Sequence, residues 1–195
     1  MTFREKELMG IHIGLTGTPG TGKKTVAPML ASELHFSFVS LNELVASLGA
    51  PRGRMQSEVD TKSLKRRLPH MLREPTILYG HLLPYVAKSE LLRKVVILRC
   101  NPSILRERLV SRGYSEAKVT ENVEAELIGV VSADAQNVFG ESKTLEYDTT
   151  TSDAQTASKA ISRLIVNPPS SVPRVDWTVL YDTASKLRTL LGEPK

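Results

Sequence analysis

The chain has 195 residues, and its 26 Lys and Arg against 21 Asp and Glu give a net charge of +5 and a pI near 9.4. Its single cysteine, Cys100, excludes an internal disulfide, and no run of about 18 apolar residues marks a membrane-spanning helix. Nor is there a signal-peptide pattern, so the expectation is a cytoplasmic, non-membrane protein with one sizeable core whose charge favours acidic partners such as nucleotides or RNA.

After a polar lead-in from Thr2 to Glu7, the stretch Gly10 to Thr25 reads GIHIGLTGTPGTGKKT. An apolar strand (Ile11, Ile13, Leu15) breaks into glycines and then into a helix. Gly17 to Lys23 fits the G-x-x-x-x-G-K half of a phosphate-binding P-loop in the strand-loop-helix setting that the motif requires. Glycines without Cβ let successive backbone N–H groups close on phosphate oxygens at the positive end of the helix, with Lys23 as a point charge. The motif ordinarily continues with a Ser or Thr whose hydroxyl ligates Mg²⁺. Here Lys24 stands in that place and Thr25 follows. Adjacent helical residues point about 100° apart, so Thr25 is not a simple replacement. Lys24 has two readings, an ammonium near the phosphates or one in solvent.

Onward, a helix is expected from about Lys24 to Leu34, a second strand at Phe36 to Val39, and a helix capped by Ser40 or Asn42 and running through Leu48. From Arg52 to Arg73, seven Lys and Arg face two acidic residues, which suits a second phosphate-bearing substrate, RNA, or simply a solvated helix face. Pro75 to Tyr79 and Val95 to Leu98 read as strands of a buried parallel sheet. A helix from Ser103 to Arg112 puts Arg108 and Arg112 on one face, i and i+4, which suits either two guanidinium groups meeting phosphates or simply a solvated basic face. One long helix, SEAKVTENVEAELIGVVSADAQNVF, should begin at Ser115, with Val119, Val123, Leu127 and Val130 or Val131 as its apolar stripe. Thr144 to Asp148 is a fifth strand candidate and Ala154 to Ile165 a helix. NPPSSVP (residues 167–173) is a linker, and Val175 to Leu191 a final amphipathic helix carrying Trp177. Cys100, directly after a strand, reads as a small buried residue. The alternation of strands and helices defines a doubly wound α/β domain.

GTPGTGKKT, ILYGH, RERLVSRGYSEAKVTENVEAEL, EYDTT and the terminal VDW together resemble the adenylate kinase isoenzyme 6 family, which includes the coilin-interacting nuclear ATPase and archaeal putative adenylate kinases. The resemblance implies a P-loop NTPase of adenylate-kinase-like three-layer fold around a parallel five-stranded sheet. It implies a kinase-like domain over residues 1–166, with a monophosphate-binding segment near 40–63 and a lid near 111–121, followed by a linker and C-terminal helix over 167–195. It also implies adenylate kinase and ATPase activity, with ATP and Mg²⁺ as cofactors and AMP and ADP as further ligands. Maturation of the small ribosomal subunit is implied too, with a ribosomal protein as partner and possible rRNA contact. By the same resemblance Gly20, Thr21, Gly22, Lys23, Lys24 and Thr25 form the ATP-binding loop, Arg112 is the lid arginine, Arg108 bears transition-state charge, and His81 is the histidine of the family's Asp-x-His motif.

Two departures fall on one chemical group. Lys24 replaces the Mg²⁺-ligating hydroxyl, and Tyr79 replaces the aspartate of Asp-x-His, so no metal ligand among the protein side chains is evident. Three functions follow as alternatives: an adenylate kinase with a slower ATPase reaction, a catalytically weakened nucleotide-binding assembly factor, and a kinase of another small hydroxylated substrate.

Overall fold

The computed structural model describes residues 10–47, 61–169 and 173–192. Among them, β1 (His12–Gly17) leads through the glycine loop into α1 (Lys23–Leu34), then β2 (Ser37–Ser40), α2 (Leu41–Ser47), α3 (Thr61–Met71), β3 (Thr76–Tyr79) and α4 (Leu83–Val86). β4 (Leu92–Arg99), α5 (Pro102–Ser111), α6 (Glu116–Leu127), α7 (Val130–Phe139), β5 (Thr144–Asp148), α8 (Ala154–Val166) and α9 (Ala184–Leu191) complete the order. The strands form one parallel sheet in the order β2-β3-β1-β4-β5.

Why the strands read as continuous apolar runs is visible in their alternation. Ile77, Tyr79, Val96 and Leu98 face the layer of α1 and α8 with Ile13, Leu15, Leu30 and Ile161. Leu78, Val95 and Ile97 face the opposite layer with Leu68, Leu83, Ala135 and Phe139. Both faces are therefore core, as parallel strands require, and each fully buried Leu or Ile contributes roughly 1.5–3 kcal/mol. A third cluster joins α5, α6 and the C-terminal segment through Leu105, Leu109, Val119, Val123, Trp177 and Leu190.

The Ser40 cap agrees with the sequence: its Oγ accepts from the Glu43 N–H at 3.3 Å. Asn101 also caps α5, accepting from Ser103 N–H at 3.0 Å. Two expectations are corrected. The long helix from Ser115 is broken: α6 ends at Leu127, and Gly129 in the left-handed region (φ 72°) restarts the chain as α7. The turn leaves Ile128 68% exposed, and Arg99 Nη2 donates to the Glu126 carbonyl at 2.9 Å.

The expected helix from Val175 to Leu191 begins only at Ala184. Asp176 Oδ1 instead accepts from the Thr178 N–H at 2.9 Å, an Asx turn that leads into a short 3₁₀ turn, Thr178–Leu180, and Thr183 caps α9 by accepting from Lys186 N–H. The monophosphate segment expected near 40–63 lies largely outside the described residues, as do residues 52–60 of the basic stretch.

Candidate nucleotide-binding site

Because β2 and β3 lie on one side of β1 while β4 and β5 lie on the other, the chain reverses direction of travel at β1. The crevice outside the carboxyl ends of the strands at such a switch point is where open α/β sheets bind ligands. The loop after β1 opens into it. Gly20 and Gly22 hold φ of 96° and 99°, and a Cβ on Gly20 would come within 2.5 Å of Leu105 Cδ1, so the loop lies directly on α5.

Neighbouring strand ends brace this loop. Thr149 Oγ1, just past β5, is 2.9 Å from the Thr21 carbonyl and 2.8 Å from the Arg99 carbonyl, to which it donates. Thr16 Oγ1 donates to the Gly80 carbonyl at 3.0 Å and fixes the turn that carries His81. Lys23 Nζ folds back to donate to the carbonyls of Gly17 at 2.6 Å and Thr18 at 3.0 Å.

A cavity of about 140 Å³ is lined by Gly20, Thr21, Gly22, Thr25, Arg108 and Arg112, among others. The i, i+4 pair, Arg108 on α5 and Arg112 at its C-cap, thus meets the glycine loop. The two arginines differ in freedom. Arg108 Nη2 donates to the carbonyls of Thr149 at 2.9 Å and Thr150 at 3.1 Å, whereas Arg112 is exposed at the mouth. His81 is half-buried, and burial followed by the Lys23 charge holds its imidazole below the ordinary range, so it is neutral at pH 7. Cys100 is fully buried and its thiol is pushed up to about 11, chiefly by desolvation.

Lys24 is exposed, which favours the solvent reading of its ammonium. Thr25 Oγ1 donates to the Gly22 carbonyl at 2.8 Å, and Tyr79 is 8% exposed within the α1 and α8 core layer. No group of three His, Cys, Asp or Glu side chains able to hold a metal occurs among the described residues. Glu74 accepts from Ser37, and Asp148 from the Thr150 N–H and hydroxyl. The side chains of the described residues therefore do not fit a protein-held Mg²⁺.

Burial sets the charge of Lys23 more strongly than its neighbours do. Desolvation lowers its ammonium to about 7, with Glu126 opposing and Arg112 adding to the shift. Below about pH 7 the free lysine is already charged. Above it a polyphosphate has to restore the proton, so ATP affinity should weaken by up to about tenfold per pH unit while ATP binding takes up a proton. Calorimetric titration at about pH 8 in two buffers of different ionisation enthalpy measures that uptake. Equal uncorrected enthalpies in the two buffers, with no proton taken up beyond that of Lys23→Met, would contradict the assignment.

Sequence reasoning did not find Arg99, Glu126 and Thr149 as parts of this site. Glu126 lay inside the quoted ENVEAEL stretch, but its direction depends on where α6 ends.

The parallel sheet with a glycine loop at its switch point defines the P-loop kinase-like α/β class. Solved structures of that class share the fold. A shikimate kinase from Acinetobacter baumannii in complex with shikimate superposes with a TM-score of 0.54 at 19% identity, covering 86% of this chain and 99% of that one. A gluconokinase from Sinorhizobium meliloti 1021 gives 0.53 at 19% identity, covering 90% and 98%. A family model described as an AAA domain matches residues 13–129.

Sequence relatives are more specific. A "Putative adenylate kinase" of Thermococcus onnurineus (strain NA1) is 36% identical over 177 residues, covering 87% of this chain and 93% of that protein. One of Pyrococcus abyssi (strain GE5 / Orsay) is 35% identical over 194 residues, covering 93% and 99%. The chain belongs to this adenylate-kinase-like family. No helix among the described residues is long and apolar enough to cross a membrane.

Proposed function

We propose that this chain is a nucleotide kinase that transfers the γ-phosphoryl group of ATP to AMP, with slower hydrolysis of ATP as a side reaction. The observation that carries the reading is the meeting of Gly20, Thr21 and Gly22 with Arg108 and Arg112 around one cavity at the carboxyl edge of the sheet. An oxygen of the AMP phosphate attacks the γ-phosphorus, the bond from that phosphorus to the β–γ bridging oxygen breaks, and two ADP result.

Positioning and charge supply most of such catalysis. Backbone N–H groups of the loop cradle the phosphates, and Lys23 exchanges its two carbonyl partners for phosphate oxygens. Arg112 closes from the mouth, and Arg108, held by the Thr149 and Thr150 carbonyls, adds fixed positive charge. His81, neutral and beside Lys23, orients water or acceptor. Initial rates with AMP, CMP, UMP or a small hydroxylated acceptor, each against ATP alone, test the reading. AMP should give the fastest ADP formation, and faster transfer to a non-nucleotide acceptor would replace it.

A second reading rests on Lys24 in solvent and Tyr79 in the core. With an ammonium and a buried phenol where the family has a hydroxyl and a carboxylate, turnover falls while the backbone cradle and Lys23 keep nucleotide affinity. The chain then works as a nucleotide-responsive factor in small-subunit maturation, meeting a ribosomal protein and, through its basic charge, rRNA. Co-sedimentation with small ribosomal subunits that depends on ATP, together with negligible ADP formation, would favour this reading over the first.

A further inference from the structure

Glu126, at the end of α6, is 1% exposed, and its carboxylate accepts from four donors at three separate places in the chain. Its Oε2 accepts from Thr18 Oγ1 in the glycine loop at 2.5 Å. Its Oε1 accepts from Arg99 Nε at 2.8 Å, the Cys100 N–H at 3.0 Å and the indole Nε1 of Trp177 at 3.2 Å. The loop side continues to Lys23 and Thr21, because the Thr18 carbonyl receives Lys23 Nζ at 3.0 Å and Thr21 Oγ1 at 2.9 Å. The far side continues into the C-terminal segment. Arg99 Nη1 donates to the Val175 carbonyl at 2.9 Å and to Glu146 Oε2 at 3.2 Å, and Glu146 Oε2 accepts from the Val175 N–H at 2.6 Å.

A buried ion pair adds little net stability over apolar packing of the same volume. What a saturated carboxylate does supply is direction, since removing one donor frees the angle at which it holds the others. We propose that Glu126 is a positioning residue of the phosphate-binding loop and that Trp177 acts through it, so that the seating of residues 173–192 sets nucleotide affinity. The proposal rests on the nucleotide-kinase reading of the site. It makes the C-terminal segment a working part of the nucleotide site: whatever lifts Trp177 from Glu126 weakens ATP binding, and bound ATP holds the segment more tightly by the same factor.

The test is a double-mutant cycle on the full chain, reading the ATP dissociation constant by calorimetry and the melting temperature of each variant without nucleotide. Thr18→Val keeps shape but removes the donor to Glu126, and should weaken ATP binding about tenfold, as loss of a hydrogen bond to a charged group does. Thr18→Ser retains the hydroxyl and should stay within about twofold of wild type. Trp177→Phe keeps the ring in place without its N–H and should weaken binding about threefold in the wild-type background, yet add nothing in the Thr18→Val background, because both losses travel through one carboxylate. A merely structural tryptophan would lower the melting temperature and leave ATP affinity alone.

Wild-type affinity in Trp177→Phe, or an equal loss with and without the Thr18 hydroxyl, would overturn the proposal. If Thr18→Val does not fold, the emission of Trp177, the chain's only tryptophan, decides: it should change on addition of ATP, and constancy would overturn the proposal. Failure of the wild type to bind ATP would instead sink the nucleotide reading and this proposal with it, an outcome distinct from intact binding that ignores Trp177.

Discussion

Lys23→Met should lower ADP formation from ATP and AMP about 10²- to 10³-fold, the range for removing one preorganised group that meets transition-state charge. In the free chain its ammonium is held by the Gly17 and Thr18 carbonyls at 2.6 and 3.0 Å and is lowered to about 7 by desolvation. A triphosphate in the crevice replaces two neutral acceptors with anionic ones, so the interaction strengthens as charge develops. Methionine keeps the length of the chain and loses the charge. The fold should survive, because the lysine pays desolvation in the free protein with no carboxylate within 4 Å among the described residues. Steady-state rates together with a melting curve check this result. A loss below about threefold with normal melting would remove Lys23 from the reaction.

Lys24→Thr combined with Tyr79→Asp should raise Mg²⁺-dependent turnover about 10- to 100-fold, since a metal acting as Lewis acid contributes several kcal/mol of charge stabilisation. The two changes are unequal in structural cost. Lys24 is exposed on the first turn of α1 and its replacement is nearly free. Tyr79 is 8% exposed among Ile13, Leu15 and Val26, so an aspartate there loses packing worth about 3–5 kcal/mol and places a carboxylate at the edge of an apolar layer. The gain should therefore be measured well below the melting temperature of the double variant. A folded double variant with unchanged turnover would show that the two departures do not act together on the metal.

Much of the fold was legible because the local signals and the tertiary solution agree. Ile13, Leu15 and the runs around Ile77 and Val96 are apolar on both faces, which only a strand between two helical layers satisfies. The glycine loop was legible because its chemistry is local, each positive-φ position falling within six residues of the next. The break at Gly129 was not, since an isolated glycine inside a periodic pattern is compatible with a continuous helix until Arg99 captures the Glu126 carbonyl. In the C-terminal segment the periodicity of Val175 to Leu191 outweighed two polar signals, Asp176 before Thr178 and Thr183 before Lys186, that set an Asx turn and a cap. Arg108 and Arg112 could be paired from their spacing alone. That Arg108 would be tied to the Thr149 and Thr150 carbonyls could not, because that contact spans more than 40 residues. Glu126 and Trp177 lie further still in sequence from the loop they serve, and only the folded chain brings Thr18, Arg99 and Trp177 onto the Glu126 carboxylate.

The measurement that bears most directly on the account is ADP formed by the purified chain from ATP and AMP, beside ATP alone and beside Lys23→Met under the same conditions. A phosphoryl transferase should form ADP rapidly only when AMP is present, yield two ADP for each ATP consumed, and fall silent without Lys23. ADP formation at the same rate with and without AMP would contradict transfer to a nucleotide and leave hydrolysis as the reaction.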